Sequence, residues 1–498
     1  MLGSGRRKGR EMTKETVQDP ARAEGLAPLH VLALIAGPLC LIPALVVPAP
    51  WGLAPEAWRL VCVALWMVIW WLAEAVPLPA TALLPIVAMP VLDILPIAKV
   101  TAQYGNHLIF LFLGGFLLAA AMQRWGLHRR IALHVVAALG RSPEGIIAGF
   151  MLATAFLSMW ISNTATAVMM VAVGASVVEV VESESVDKPR ARRFGVALML
   201  SIAFSASIGG AGTLIGTPPN ALMASLLETG HGIEIGFFRW MLLGVPIVLV
   251  MLPLTHLILT RIAFDVRGLD LASVRGVIGD EITRLGPMSR GEITVAIVFA
   301  LTAFAWIFRE ALGLPISDSG IAILAAVVLF ALPAGRGKGF VLDWSVAPGL
   351  PWGVLILFGG GLALAGAFDA TGLAGWIGAE VAAVGAVPLS VLVLIVAAVM
   401  VFLTGITSNT ASAATFLPVL GAVAVGRGLD VEWLMVPVAL AASMAFMLPV
   451  ATPPNAIVFT YKGLKLADMV RAGFMVNLVS IGVIWAAVMG LAPYVFGL

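Results

Sequence analysis

Two tripeptides, Ser162-Asn163-Thr164 and Ser408-Asn409-Thr410, carry the side chains best suited to ligand chemistry in this chain. Both sit inside long apolar sequence. A hydroxyl stands four residues before each one, at Ser158 and Thr404, and Ala, a small hydroxyl residue and Ala follow. A second motif, Thr-Pro-Pro-Asn-Ala, comes after each copy, at 217–221 and 452–456. Hydroxyl, amide and freed main-chain carbonyl oxygens suit a small hard cation such as sodium. Donors at the start of a helix suit the oxygens of an anion such as a carboxylate or sulfate. No His-Glu-x-x-His and no clustered His or Asp ligands occur. An intramembrane enzyme would therefore lack both a nucleophile–base pair and a metal centre.

Each motif breaks a helix. Two consecutive prolines remove two backbone donors and force the helix open. Gly209, Gly210, Gly212 and Gly216 loosen the first copy further. An opened helix presents free carbonyls on one side and free N–H groups on the other. Taken singly, a Ser-Asn-Thr is most often helix–helix glue, and a Pro-Pro only a kink. Four such motifs in matched order are an internal repeat. No Arg, Lys or His lies within them, so a doubly charged anion held there needs co-bound cations.

The elements that position these motifs span a membrane. Of the 498 residues 61% are hydrophobic and 11% charged, with a mean hydropathy of +1.05, too few charges to cover a soluble domain of this size. The apolar blocks approach the length that crosses a bilayer as a helix, and they do not alternate as membrane strands do. The fold class is all-α integral membrane. About 11 spanning segments are expected, at 30–48, 59–76, 78–93, 107–123, 194–228, 240–260, 291–310, 318–334, 351–368, 432–462 and 473–496. Two further stretches, 144–182 and 389–426, are too long for one span and too short for two. They read as re-entrant hairpins, each with a Ser-Asn-Thr at its tip.

Charge gives the orientation. With the N-terminus inside and neither hairpin crossing, 24 of the 29 lysines and arginines fall on the cytoplasmic side. They lie in the tail (1–28) and in 124–141, 188–193, 261–290, 336–338 and 462–471. Arg59, Lys99, Arg239, Arg309 and Arg427 fall outside. This is the positive-inside pattern. It places the chain in the inner (plasma) membrane with the C-terminus outside. The tail reads as a disordered cytoplasmic segment. Residues 29–260 and 291–498 form two halves about a cytoplasmic linker at 261–290. Scaffold helices occupy 30–123 and 291–368, and a hairpin and broken helix occupy 144–228 and 389–462. The first hairpin then enters from the cytoplasm and the second from outside, an inverted repeat of the kind secondary transporters use.

Other residues weigh less. The net charge of +2 says nothing of a nucleic acid, and none is expected as a partner. Cys40 and Cys62 both fall in apolar segments and make a disulfide improbable. Glu74 sits at the end of its helix and reads as a pairing or surface residue rather than a proton carrier. His107, His128, His134, His231 and His256 lie mostly near segment ends.

These residues resemble the divalent anion/sodium symporter family, from about residue 30 onward. Besides the paired motifs, Trp70-Trp71-Leu72-Ala73-Glu74-Ala75-Val76-Pro77-Leu78-Pro79-Ala80-Thr81, Phe110-Leu111-Phe112-Leu113-Gly114-Gly115-Phe116 and Arg124-Trp125-Gly126-Leu127-His128-Arg129-Arg130 look like its early signatures. The resemblance implies a dimer embedded in lipid, with a scaffold and a transport domain that moves as an elevator. It implies a first sodium site at Ser158, Ser162, Asn163 and the backbone from Gly209 to Gly212. A second would use Thr404, Ser408, Asn409 and the backbone at Ala451. The substrate would sit among Asn163, Thr164, Thr217, Pro218, Asn409, Thr410, Thr452 and Pro453. The function expected is sodium-coupled uptake of C4-dicarboxylates such as succinate, malate or fumarate. A sulfate or other oxyanion symporter, a sodium-independent exchanger and a passive channel are the alternatives.

Overall fold

A computed structural model describes residues 28–269, 272–335, 337, 339–383 and 387–498. The tail lies outside the described residues, as do Asp270, Arg336 and Lys338. Among the described residues the secondary structure is helical, apart from one isolated bridge between Pro333 and Phe340. Among the described residues nine helices are long and apolar enough to cross a membrane, and shorter apolar helices fill in around them.

Several expected spans are broken. The first bends at Cys40 into Pro28–Leu39 and Leu41–Val46, and 78–93 splits into Leu78–Thr81 and Leu84–Val91. Each expected hairpin is two helices joined by a short tip. The first is Pro143–Ser158 and Asn163–Glu184; the second is Leu389–Leu403 and Asn409–Gly426. The broken helices are Lys188–Gly210 with Pro218–His231, and Glu432–Ala442 with Pro453–Phe459. Pro218 and Pro453 occupy first-turn positions, where a missing N–H is no loss. Polar caps start other helices: Ser142 Oγ accepts from Gly145 N at 3.0 Å, and Ser289 with Glu292 forms a capping box. Two helices outside the expected spans, Leu127–Leu139 and Leu373–Ala383, precede the two hairpins. The linker contains a third, Ala272–Leu285.

Lys188–Gly210 is the centre of the molecule. Its apolar window is 94% buried in protein, so it meets other helices and not lipid. Glycines allow the closest crossings. A Cβ on Gly114 would stand 2.6 Å from Ala322, and one on Gly360 would stand 2.4 Å from the Ala82 carbonyl. A helix of each half thereby packs on a helix of the other.

The ion pairs join segments according to the charge bias. Arg124 pairs with Asp343 at 2.6 Å, Arg129 with Glu281, Arg130 with Glu292 and Arg192 with Asp468. These residues lie in the segments assigned to the basic side or, for Asp343 and Glu292, directly beside them. The Asp343 carboxyl is held below its ordinary range by hydrogen bonds from Ser345 and Arg124. Elsewhere Arg309 meets Glu234 and Asp318, both at 3.3 Å. Arg239 donates to the Val495 and Phe496 carbonyls at 2.8 Å. These contacts link segments assigned to the opposite side.

Candidate functional site

The site forms where the two broken helices face each other. Thr217 Oγ1 lies 3.1 Å from Ser443 Oγ across the two breaks, and the Phe204 and Phe446 rings are 5.0 Å apart. In both breaks the asparagine after the prolines closes the opened turn. Asn220 Nδ2 donates to the Gly210 and Thr213 carbonyls at 3.2 and 2.9 Å. Asn455 Nδ2 donates to Ala445 and Leu448 at 3.2 and 3.0 Å. The acceptors stand ten and seven residues upstream in both copies. These amides satisfy carbonyls that the break would leave bare. The repeat therefore extends from sequence to hydrogen bonding.

All four motifs line one cavity of about 690 Å³. Asn163, Thr164, Thr217, Pro218, Asn409, Thr410, Thr452 and Pro453, each expected at the substrate, all lie on its wall. So do Ser162, Ser408 and Ala451 from the expected cation sites. Four helices begin at this wall, at Asn163, Pro218, Asn409 and Pro453. Their N-terminal ends give it positive potential without a cationic side chain. Because Pro218-Pro219 and Pro453-Pro454 carry no N–H, the main-chain donors come from the Ser-Asn-Thr tips. The Pro-Pro starts contribute dipole and apolar wall.

The first tip holds an oxygen cluster. Ser158 Oγ lies 2.7 Å from the Ala206 carbonyl and also contacts Asn163 Oδ1. One hydroxyl hydrogen cannot serve both acceptors. The Asn163 side-chain oxygen faces acceptors alone; turned over, its nitrogen would donate to Ser158, to Ala206 O at 3.1 Å and to Gly216 O at 3.2 Å. Turned that way, the amide supplies the hydrogens that Ser158, Ala206 and Gly216 call for, and the first tip is a closed cluster of neutral polar groups without a charged side chain. Gly210 permits this approach, since a Cβ there would stand 2.7 Å from Asn163 Oδ1. Sequence reasoning placed the backbone share at Gly209 to Gly212. Asn163 meets the Ala206 and Gly216 carbonyls, which flank that stretch, and a Cβ on Gly209 would strike Ala155 and one on Gly212 would strike Met159. Ser162 serves as the helix cap, accepting from Ala165 N at 3.3 Å.

The second tip is looser. Thr404 Oγ1 donates to Met400 O at 2.9 Å within its own helix. Asn409 Oδ1 is buried without a hydrogen-bond partner. Ser408 caps its helix by position, with no side-chain hydrogen bond. The cavity wall also includes Glu74, which sequence reasoning had set aside as a helix-end residue. Its place beside the motifs had no signal in the local sequence.

A family model for the sodium:sulfate symporter transmembrane region matches residues 29–496. The chain belongs to this family of membrane transporters. Its relatives in the family include a sodium-dependent dicarboxylate transporter, SdcS, of Staphylococcus saprophyticus, 43% identical over 480 residues that cover 94% of this chain and 92% of the relative. The SdcS proteins of two Staphylococcus aureus strains are 40% identical over the same shares. A match of this extent runs through both hairpins and both broken helices.

Proposed function

We propose that the chain carries C4-dicarboxylates into the cell together with sodium ions. The single observation behind this reading is the convergence of both Ser-Asn-Thr tips and both Thr-Pro-Pro breaks on one cavity whose wall holds neutral oxygens, helix starts and no cationic side chain. A dianion there takes its counter-charge from co-bound cations. The names of the relatives give the pair as dicarboxylate and sodium.

In this reading the anion's two carboxylates meet Asn163, Thr164, Asn409 and Thr410, with Thr217, Pro218, Thr452 and Pro453 as the flanking wall. One sodium takes Ser158, Ser162, Asn163 and the backbone from Gly209 to Gly212, beside the Ala206 and Gly216 carbonyls that meet Asn163. A second takes Thr404, Ser408, Asn409 and the Ala451 backbone. The halves 29–260 and 291–498 are inverted. Their hairpins and broken helices move as a transport domain against scaffold helices 30–123 and 291–368 in an elevator motion, within a homodimer in the plasma membrane. Contacts within each set of segments support the grouping of the segments on two sides, and the charge bias supports a cytoplasmic N-terminus and an external C-terminus. Glu74, Gly349 and Pro351 lie at the basic end of their helices and also line the cavity, which supports a cytoplasm-open state.

The test is labelled succinate uptake into proteoliposomes, with and without an inward sodium gradient. Concentrative uptake that needs sodium is the expected result. Uptake indifferent to sodium would leave an exchanger or channel, and displacement of succinate by sulfate at equal concentration would favour the oxyanion reading.

A further inference from the structure

One ionisable side chain lines the cavity that gathers the four motifs, and it is an acid, Glu74. Three local features weigh against a carboxylate there. Glu74 ends the Pro55–Ala73 helix at φ 48° and ψ 35°, a left-handed conformation that costs any residue with a Cβ and usually falls to glycine. A negative charge at a helix C-terminus meets the negative end of the helix dipole. The surrounding cavity is suited to anions. Nothing structural compensates. The turn is closed by main-chain N–H groups, from Glu74 and from Ala75 to the Trp70 carbonyl. The side chain is exposed, and among the described residues the carboxylate has neither an ion pair nor a hydrogen bond. A strained residue kept at a binding cavity points to function.

A lone carboxylate in such a space acts through its charge. On the reading above, we propose that Glu74 is a specificity-determining residue that sets how much negative charge a ligand brings. Co-bound cations balance the two charges of a dicarboxylate. A fully ionised tricarboxylate offers the same oxygens to the same donors and keeps one further charge facing Glu74. Over roughly 10 Å and at an effective dielectric between those of water and a protein surface, that repulsion weakens binding on the order of threefold to tenfold.

The experiment compares equilibrium binding of succinate and of citrate, at mildly alkaline pH and in sodium, to purified wild type and to Glu74→Gln, Glu74→Gly and Glu74→Asp. Glycine suits the φ of this position, so Glu74→Gly guards against a folding artefact. The expected result is that Gln and Gly both bring citrate affinity about threefold to tenfold closer to that of succinate, while Asp behaves as wild type. Added choline chloride should shrink the difference, as screening requires. A citrate-to-succinate ratio that ignores residue 74 overturns the inference and leaves the proposed function standing. So does loss of succinate binding in both neutral variants with binding kept in Asp, since a charge that only repels anions is not needed to hold one. If wild type binds neither anion, the proposed function fails and takes this inference with it.

Discussion

In the first half of the molecule, Trp160 stands two residues before Ser162 and is 9% exposed, while in the second half the matching Ile406 is 67% exposed. Ile215, two residues before Thr217, is 7% exposed; its counterpart Val450 is 77% exposed. Trp160 stacks on Phe237 and Trp306 with centroids 5.9 and 6.3 Å away, and Phe299 meets it edge-on at 5.1 Å. Ser158 reaches across to Ala206, whereas Thr404 bonds only back into its own helix. The same motif thus exists in a docked form and a free form within one chain. Identical tripeptides do not fix the tip: the residue two positions upstream, and the surface it finds, decide whether the tip is held.

The largest expected effect tests whether the two copies act as one site. Asn163→Ala and Asn409→Ala should each reduce sodium-driven succinate uptake by about a hundredfold or more while the protein still inserts and elutes as wild type; normal uptake in either would separate the copies. Trp160→Ala should lower stability by about 3 kcal/mol through loss of the aromatic packing, and Ile406→Ala by well under about 1 kcal/mol, since it has little burial to lose. Thermal unfolding of the purified variants in detergent reads the difference. Asn220→Ala strips two carbonyls of their donor inside a fully buried break and should cost about 2 kcal/mol. Asn455→Ala should cost less, because Leu448 and Pro449 are only half-buried and the neighbouring Val450 is exposed. The smallest expected effect sharpens the cation assignment. Ser158→Ala should raise the sodium concentration for half-maximal uptake about tenfold, as expected for one lost ligand of roughly 1.4 kcal/mol, and Thr404→Val should raise it less. Equal shifts would mean that the docked and free tips hold sodium alike.

Much of this arrangement was legible in the residues. Prolines and Ser-Asn-Thr islands interrupt apolar sequence visibly, so the breaks at Gly210–Pro218 and Ala442–Pro453 and the hairpin tips could be expected from P-P and S-N-T alone. The two carbonyls that meet Asn163 were not legible. Ala206 and Gly216 offer only backbone, and which carbonyl turns toward Asn163 depends on how the Gly-rich turn folds against Ala155 and Met159. Glu74 was equally hidden. Its helix end lies far along the chain from either motif, and only tertiary packing puts it on their cavity. The surface helix Leu127–Leu139 was missed because its arginines at 129 and 130 mark it as a polar connection; its apolar face becomes evident only where it packs on the first hairpin.

The central claim, that cations in these neutral oxygen clusters enable the cavity to hold a dianion, is tested most directly by equilibrium succinate binding to the purified protein with sodium replaced by choline at constant ionic strength. The account predicts saturable binding in sodium and its loss in choline, with the same loss in sodium for Asn163→Ala. Succinate affinity that stays unchanged in choline would contradict it.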